Sequence, residues 1–130
     1  MFSAVLDSCV LWPSLMRDFL LSLAVENIYR PLWSDRILEE VSYNEERRLM
    51  QRGASEAEAH LRSAYLMERI RASFDDSCVA GWEPLEGTYG LPDPDDEHVV
   101  AAAHMSGAGT IVTLNVRHFP LSLLPPGLDI

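Results

Sequence analysis

The stretch "LPDPDDEHVVAAAHMSGAGTIVTLN", residues 91–115, gives the clearest indication of the fold. Its first part holds four carboxylates within five positions, namely Asp93, Asp95, Asp96 and Glu97. The run that follows, residues 99–105, is too uniformly apolar for a surface helix, so we expect it to be buried. The glycines of residues 107–109 end this run, and "TIVTLN" (residues 110–115) is typical of a strand that finishes on a polar side chain.

Short apolar runs earlier in the chain predict further strands. "SAVLDS" (residues 3–8) stops at the carboxylate Asp7 and is interpreted as a buried first strand. "YRPLW" (residues 29–33) and "SCVAGW" (residues 77–82) are expected to be the second and third strands. Strands that alternate with helices predict one α/β domain over residues 1–130, with a central, mainly parallel sheet flanked by helices.

Helical patterns fill the segments between these strands. Residues 14–27 form the first predicted helix, and residues 34–53 and 55–74 form a helical hairpin. Ser34 is a good N-cap, and Ser55 begins the capping box S-x-x-E of the second hairpin helix. The expected apolar faces consist of Leu15, Phe19, Leu20 and Leu23 in the first helix and Leu61, Tyr65, Leu66, Ile70 and Phe74 in the last.

The overall charge limits the classes of partner. The chain of 130 residues has a net charge of -10, and all ten of its basic residues are arginines. Nucleic acid repels such a chain unless metal ions or a local basic patch reverse the field. The two cysteines lack CxxC spacing and indicate no zinc site. The N-terminus lacks a basic region and no apolar run is long enough to cross a membrane, so we expect a cytoplasmic protein without a membrane anchor.

The run of carboxylates has two interpretations. Asp93 can cap a helix whose first residue is Pro94, and the helix dipole stabilises acids in the first turn. Capping does not explain Asp7, an acid at the end of a buried strand, where Asp is disfavoured. Two carboxylates about 4 Å apart repel by about 4 kcal/mol at an effective dielectric of about 20, which a proton or a cation relieves. Oxygen ligands favour Mg²⁺ or Mn²⁺ over zinc.

The position of Asp7 also suggests where such a site lies. In a parallel sheet, polar residues just beyond the carboxyl ends of the strands converge along one edge, where ligands bind. Asp7 and Asn115 both follow predicted strands. Residue chemistry alone leaves capping and metal binding open.

Four motifs, taken together, resemble those of PIN domains. They are "VLDSCVL" (residues 5–11), "SDRILEEV" (residues 34–41), "LPDPDDEHVVAAAH" (residues 91–104) and "IVTLNVRHF" (residues 111–119). More narrowly, the chain resembles the VapC-like ribonuclease toxins of type II toxin–antitoxin systems. The resemblance covers nearly the whole chain and implies a PIN-like fold. Relatives often continue beyond "LPPGLDI" (residues 124–130), so the resemblance suggests a short member or a shortened chain.

The resemblance implies a set of site residues. Its catalytic and metal-binding acids fall on Asp7, Glu40 and Asp96, with Glu39 as the alternative to Glu40. The position of a fourth acid is Asn115, an amide that ligates Mg²⁺ without bringing charge, so the resemblance leaves open whether one ion or two bind. Supporting residues around the ligands are expected at Ser8, Asp93, Asp95 and Thr113.

The implied chemistry is metal-dependent hydrolysis of an RNA phosphodiester, with Mg²⁺ or Mn²⁺ as cofactor. One ion polarises the phosphate and lowers the pKa of a bound water, and a second ion, if present, stabilises the leaving oxygen. The expected products carry 5′-phosphate and 3′-hydroxyl ends. Arg117 and His118 are the candidate substrate contacts. The seven arginines between Arg36 and Arg71 either guide the RNA backbone or form a solvated, ion-paired helical face.

The resemblance further implies a small cognate antitoxin and a homodimer as partners. Two other functions stay open. The first is a catalytically silent PIN-like binding module in which Asn115 marks a degraded site. The second is a phosphohydrolase with Asp7 as nucleophile, which the absence of a second acid at Cys9 disfavours.

Overall fold

Three short parallel strands form the centre of the computed structural model, which describes residues 1–130. They are β1 (Ser3–Leu6), β2 (Arg30–Leu32) and β3 (Thr110–Val112), in the order β2-β1-β3. Val5 in the central strand pairs with Leu32 on one side and Ile111 on the other, and all three side chains are buried. This parallel sheet with flanking helices confirms the predicted α/β fold.

The predicted third strand is present only as a single bridge. Trp33 pairs with Cys78 in parallel orientation, through bonds from Trp33 N to Ser77 O (3.0 Å) and from Val79 N to Trp33 O (2.7 Å). Gly81 then has a φ of +80°, and the chain leaves the sheet. The strand predicted over residues 77–82 was therefore too long.

Five helices surround the sheet. They are α1 (Ser8–Leu11), α2 (Ser14–Val25), α3 (Asp35–Gln51), α4 (Glu56–Ser73) and α5 (Glu97–Ser106), with short 3₁₀ turns at Glu83–Leu85, Pro94–Asp96, Val116–His118 and Leu121–Leu123. The predicted caps are confirmed, because Ser34 Oγ accepts from Ile37 N at 3.2 Å and Ser55 Oγ accepts from Glu58 N at 3.1 Å. None of the helices has the length and apolar character that crossing a membrane requires.

Helix α5 lies against β1 and β3 and brings the acidic run to the edge of the sheet. Its residues Val99 to Ala103 are all buried, as predicted from their small apolar side chains. His104 and Met105, at the end of the predicted buried run, are instead exposed. The beginning of α5 is thus fixed by packing, and the acids that precede it are held next to the end of β1.

The predicted apolar faces of α2 and α4 were partly wrong. Leu15 and Phe19 in α2 are 84% and 59% exposed, and Leu61 and Tyr65 in α4 are 69% and 61% exposed. Helix α4 instead buries the narrower stripe Ala59, Ser63, Met67 and Ile70. Small residues let α4 approach α3 closely, and Ser63 Oγ lies 2.8 Å from Ser42 Oγ across this contact. Leu61 and Tyr65 are consequently left on the outside.

Candidate functional site

A pocket of about 410 Å³ opens where β1 and β3 end. Five of its eleven lining residues are carboxylates and one is an arginine: Asp7, Ser8, Cys9, Arg36, Glu39, Glu40, Tyr43, Asn44, Asp95, Asp96 and Asn115. The chain leaves the central strand β1 toward β2 on one side, and β3 lies on the other. Such a switch in strand order leaves a crevice at the carboxyl edge of a sheet, where ligands bind in open α/β folds.

Asp7 follows β1 directly and caps α1. Its Oδ1 accepts from Ser8 N at 2.8 Å and its Oδ2 accepts from Thr113 Oγ1 at 2.9 Å. Burial raises the pKa of Asp7, the hydrogen bonds from Thr113 and Ser8 oppose the rise, and repulsion from Glu40 adds to it. The carboxylate is therefore fixed in orientation at a position where its negative charge is disfavoured.

Asp96 also lines the pocket and lies at the junction of a 3₁₀ turn and α5. Burial raises its pKa, and repulsion from Asp7 and Asp93 raises it further, whereas His118 lowers it. Asp96 Oδ2 lies 3.1 Å from His118 Nδ1, close enough for an ion pair. The two groups are not aligned for a hydrogen bond, so Oδ2 is a buried oxygen without a hydrogen-bond partner.

The other carboxylates of the acidic run have different environments. Asp93 Oδ1 accepts from Asp95 N at 2.9 Å, so the capping interpretation is correct for Asp93. Glu97 is 3% exposed and accepts from Tyr89 N at 3.1 Å and from Leu91 N at 2.8 Å, which ties the preceding loop to α5. Asp95 is exposed and lines the pocket. Hydrogen bonding to the backbone thus accounts for Asp93 and Glu97 and leaves Asp96 unexplained.

Helix α3 supplies both candidate glutamates. Glu39 and Glu40 line the pocket, and Glu39 is exposed, whereas Glu40 is half-buried. Glu40 Oε2 lies 3.0 Å from Nε2 of the buried His98. Glu40 is therefore the glutamate that the surrounding protein holds in position, which favours it over Glu39 as the partner of Asp7 and Asp96.

The residues after β3 divide between the pocket and its surroundings. Asn115 lines the pocket, and its backbone N donates to Thr113 Oγ1 at 3.0 Å, so Thr113 supports both Asp7 and Asn115. His118 reaches Asp96. Arg117 is exposed and does not line the pocket, so the structure does not bring this predicted substrate contact to the carboxylates.

Sequence reasoning did not single out Arg36, the basic residue of the pocket. Its Nη1 lies 3.4 Å from Glu86 Oε2, and the two side chains are 40% and 33% exposed. Arg36 precedes Glu40 by four positions, so the two share a helical face. That spacing was the available signal, but the same spacing also describes ordinary surface ion pairs.

A divalent cation fits the chemistry of this pocket. Its acidic side chains offer oxygen ligands, and the buried Asp96 Oδ2 has an ion pair with His118 but no hydrogen bond. As the side chains stand, no three His, Cys, Asp or Glu residues are close enough together to hold an ion. The residues therefore fit a hard cation in chemical type, and the carboxylates would have to move for three of them to share it.

Together these features define an α/β domain with an acidic pocket at the carboxyl edge of a parallel sheet. A family model described as PIN domain matches residues 3–117, and the chain belongs to the PIN domain family. Members of this family are generally metal-dependent nucleases, which supports a nuclease-type function. No match was found among curated proteins or among solved structures.

Proposed function

We propose that this protein is a Mg²⁺- or Mn²⁺-dependent endoribonuclease and that Asp7, Glu40 and Asp96 are its catalytic acids. The observation that carries the proposal is the buried Asp96 Oδ2, which has no hydrogen-bond partner and is repelled by Asp7. A folded protein of marginal stability retains such a group at a cost. A cation bound between these carboxylates would relieve their repulsion, and this relief would contribute to the binding free energy.

The protein's own residues prepare the pocket for this chemistry. Asp7, Glu40 and Asp96 would hold the cation, and Asn115 would add a neutral oxygen. Thr113 and Ser8 keep both oxygens of Asp7 in a fixed orientation. When bound, a divalent cation supplies Lewis-acid chemistry that activates water and neutralises phosphate charge. Because Asn115 replaces an acid, less negative charge is available for a second tightly held ion.

Arg36 and His118 are the proposed contacts to the RNA backbone. The ion pair between Arg36 and Glu86 is long and partly exposed, and pairs of this kind contribute about 0–1 kcal/mol, so a phosphate could replace Glu86. Three other hairpin arginines, Arg48, Arg62 and Arg71, are paired with acids. These pairs support a solvated face for most of the hairpin.

We further propose that the enzyme is the toxin of a cytoplasmic toxin–antitoxin pair and a homodimer. The exposed apolar side chains of Leu15 and Phe19 on α2 and of Leu61 and Tyr65 on α4 support a protein partner. Leu15 and Phe19 are four positions apart, as are Leu61 and Tyr65, so each pair lies together on its helix, where it would pack against a partner. Growth arrest on expression, relieved by the product of a neighbouring gene, tests this part.

A catalytically silent binding module with the same fold is the second candidate. Asn115 at the position of an acid and the lack of a three-ligand cluster favour it. In that case the pocket would bind neither Mn²⁺ nor Mg²⁺, and expression of the protein would not arrest growth.

RNA cleavage with Mn²⁺ and with EDTA separates the two functions. We expect Mn²⁺-dependent cleavage by the wild type and a loss in Asp7→Asn and Asp96→Asn greater than the roughly 10–100-fold that removal of a supporting partner costs. Asp76→Asn is the matched control, because Asp76 is an exposed acid that pairs with Arg30 away from the pocket. Undiminished cleavage by Asp96→Asn would show that the reaction occurs elsewhere.

A further inference from the structure

The buried imidazole of His98 has no role in the chemistry proposed so far. His98 lies two positions after Asp96 at the start of α5 and is 1% exposed. Its ring packs at an angle against Trp82, with 6.1 Å between the ring centroids. Nε2 lies 3.0 Å from Glu40 Oε2, and Nδ1 is buried without a hydrogen-bond partner. The ring therefore makes a single polar contact, and that contact is to a pocket carboxylate.

The donor in this contact follows from the chemistry of the two groups. An ionised carboxylate only accepts hydrogen bonds, so Nε2 must carry the proton and donate it to Glu40. In the neutral ring Nδ1 then has an unused lone pair in the interior, which destabilises the fold relative to an apolar ring. The retention of a polar ring at this cost indicates that its one hydrogen bond serves a purpose.

That hydrogen bond connects two helices that supply carboxylates to the pocket. Glu40 belongs to α3, and Asp96 immediately precedes α5. Glu40 and Asp7 repel each other, and the Glu40 side chain is 32% exposed, so an unrestrained carboxylate would turn toward water. No protein group contacts Glu40 Oε1 by a hydrogen bond, which leaves that oxygen available.

We propose that His98 is a positioning residue that holds the Glu40 carboxylate in the pocket for cation binding. The inference rests on the proposed metal-dependent function and adds a residue to it. His98 does not touch the substrate or the cation and acts through Glu40. Outer partners of this kind orient carboxylate and imidazole ligands in metal sites, and their removal typically costs roughly 10–100-fold in metal affinity.

The test is a Mn²⁺ titration in which the rise in melting temperature of the protein reports binding. We expect His98→Phe to raise the half-saturating Mn²⁺ concentration by about 10–100-fold. His98→Gln keeps an N–H donor and should remain within a few-fold of the wild type. His60→Phe is the matched control, because it removes a similar but exposed pair, His60 Nδ1 to Glu46 Oε1 at 2.9 Å, and should leave the titration unchanged.

A double-mutant cycle separates positioning from a merely structural role. In a Glu40→Ala background, His98→Phe should have no further effect on Mn²⁺ binding, because the group through which it acts is gone. Equal losses in both backgrounds would overturn the proposal. If the wild type responds to Mn²⁺ and His98→Phe responds equally, the role proposed for His98 is overturned. The proposed nuclease function would not be affected by that result. A wild type without any response to Mn²⁺ would overturn both.

A measurement on the wild type keeps the proposal testable if His98→Phe does not fold. Nitrogen-15 NMR of the imidazole rings without added metal should show a proton on Nε2 of His98. The opposite tautomer would overturn the proposal, because Nε2 could not then donate to Glu40.

Discussion

Asp96 and Glu97 are adjacent carboxylates, and removing their charges should change stability in opposite directions. Glu97→Gln keeps one acceptor oxygen and places an amide N–H₂ against a backbone N–H donor. One of the two hydrogen bonds, to Tyr89 N or to Leu91 N, is then lost in a site that is 3% exposed. Losing a buried hydrogen bond to a charged group costs about 1.5–3 kcal/mol. For a chain of this size that lowers the melting temperature by about 5–15 °C.

Asp96→Asn should leave the metal-free protein equally stable or make it more stable. Asp96 Oδ2 has no hydrogen-bond partner, so the amide loses no hydrogen bond there. The ion pair with the half-exposed His118 contributes about 0–1 kcal/mol. Against this small loss, the substitution removes a charge that is disfavoured by burial and repelled by Asp7 and Asp93.

The pH dependence of the free energy of unfolding tests the same explanation independently. Because the pKa of Asp96 is raised in the folded protein, its penalty is fully present above the folded pKa. The penalty disappears as pH falls through the folded pKa toward the unfolded value, since the native state then binds the proton more readily than the unfolded state. The stability gain of Asp96→Asn should therefore be largest near neutral pH and should shrink on acidification.

Urea unfolding in EDTA measures the free energy of unfolding of both variants, and equal m-values show that the unfolding transition is the same. The reasoning would be refuted if Asp96→Asn lost as much stability as Glu97→Gln. It would also be refuted if Glu97→Gln matched the wild type, because the two backbone contacts would then contribute nothing.

Three further predictions concern groups outside the acidic run. Arg17 is 7% exposed and donates hydrogen bonds to two backbone carbonyls at the end of α1, at 3.0 and 3.1 Å. Arg17→Met should therefore lower the free energy of unfolding by about 2 kcal/mol. An unchanged urea midpoint would contradict this prediction. Burial raises the pKa of Tyr29 to about 12, so in an ultraviolet titration this tyrosine should ionise later than a free tyrosine does. Stability should fall between about pH 10 and 12, because only the unfolded state has lost that proton. Burial also raises the pKa of the Cys9 thiol, so iodoacetamide at pH 8 should alkylate it more slowly in the native than in the urea-unfolded protein; equal rates would count against the described burial.

Much of the fold could be predicted because apolar runs and capping residues report on it locally. The caps at Ser34 and Ser55 and the buried residues of α5 were predicted correctly. The apolar faces of α2 and α4 were only partly correct, since Ile70 is buried but Leu15 and Leu61 are exposed, because periodicity assigns the largest apolar side chains to the interior. The close approach of α4 to α3 instead buries Ala59 and Ser63, and a single sequence carries no signal for how closely two helices approach.

Asp7 and Asn115 were predicted to lie near each other because parallel strands end at a common edge. Both line the pocket, although their roles as ligands remain predictions. Both Glu39 and Glu40 are compatible with the helical pattern and both line the pocket, so the contact of Glu40 with His98 favours Glu40, whose role as a ligand stays a prediction. Arg36 was considered only as one of seven hairpin arginines, because an arginine among glutamates is usually part of a surface ion pair.

The acidic run shows why carboxylates are informative only when their hydrogen bonds are counted one by one. Asp93 and Glu97 both accept from backbone N–H groups, and these contacts organise the loop before α5. Asp96 lies between them in sequence but has a buried oxygen that receives no hydrogen bond and only an ion pair with His118. If the run served only to begin a helix, Asp96 would be the easiest of the three to replace by a neutral residue, and the fold would lose no stability by the change. The persistence of a charge that the isolated fold disfavours is best explained by a ligand of opposite charge.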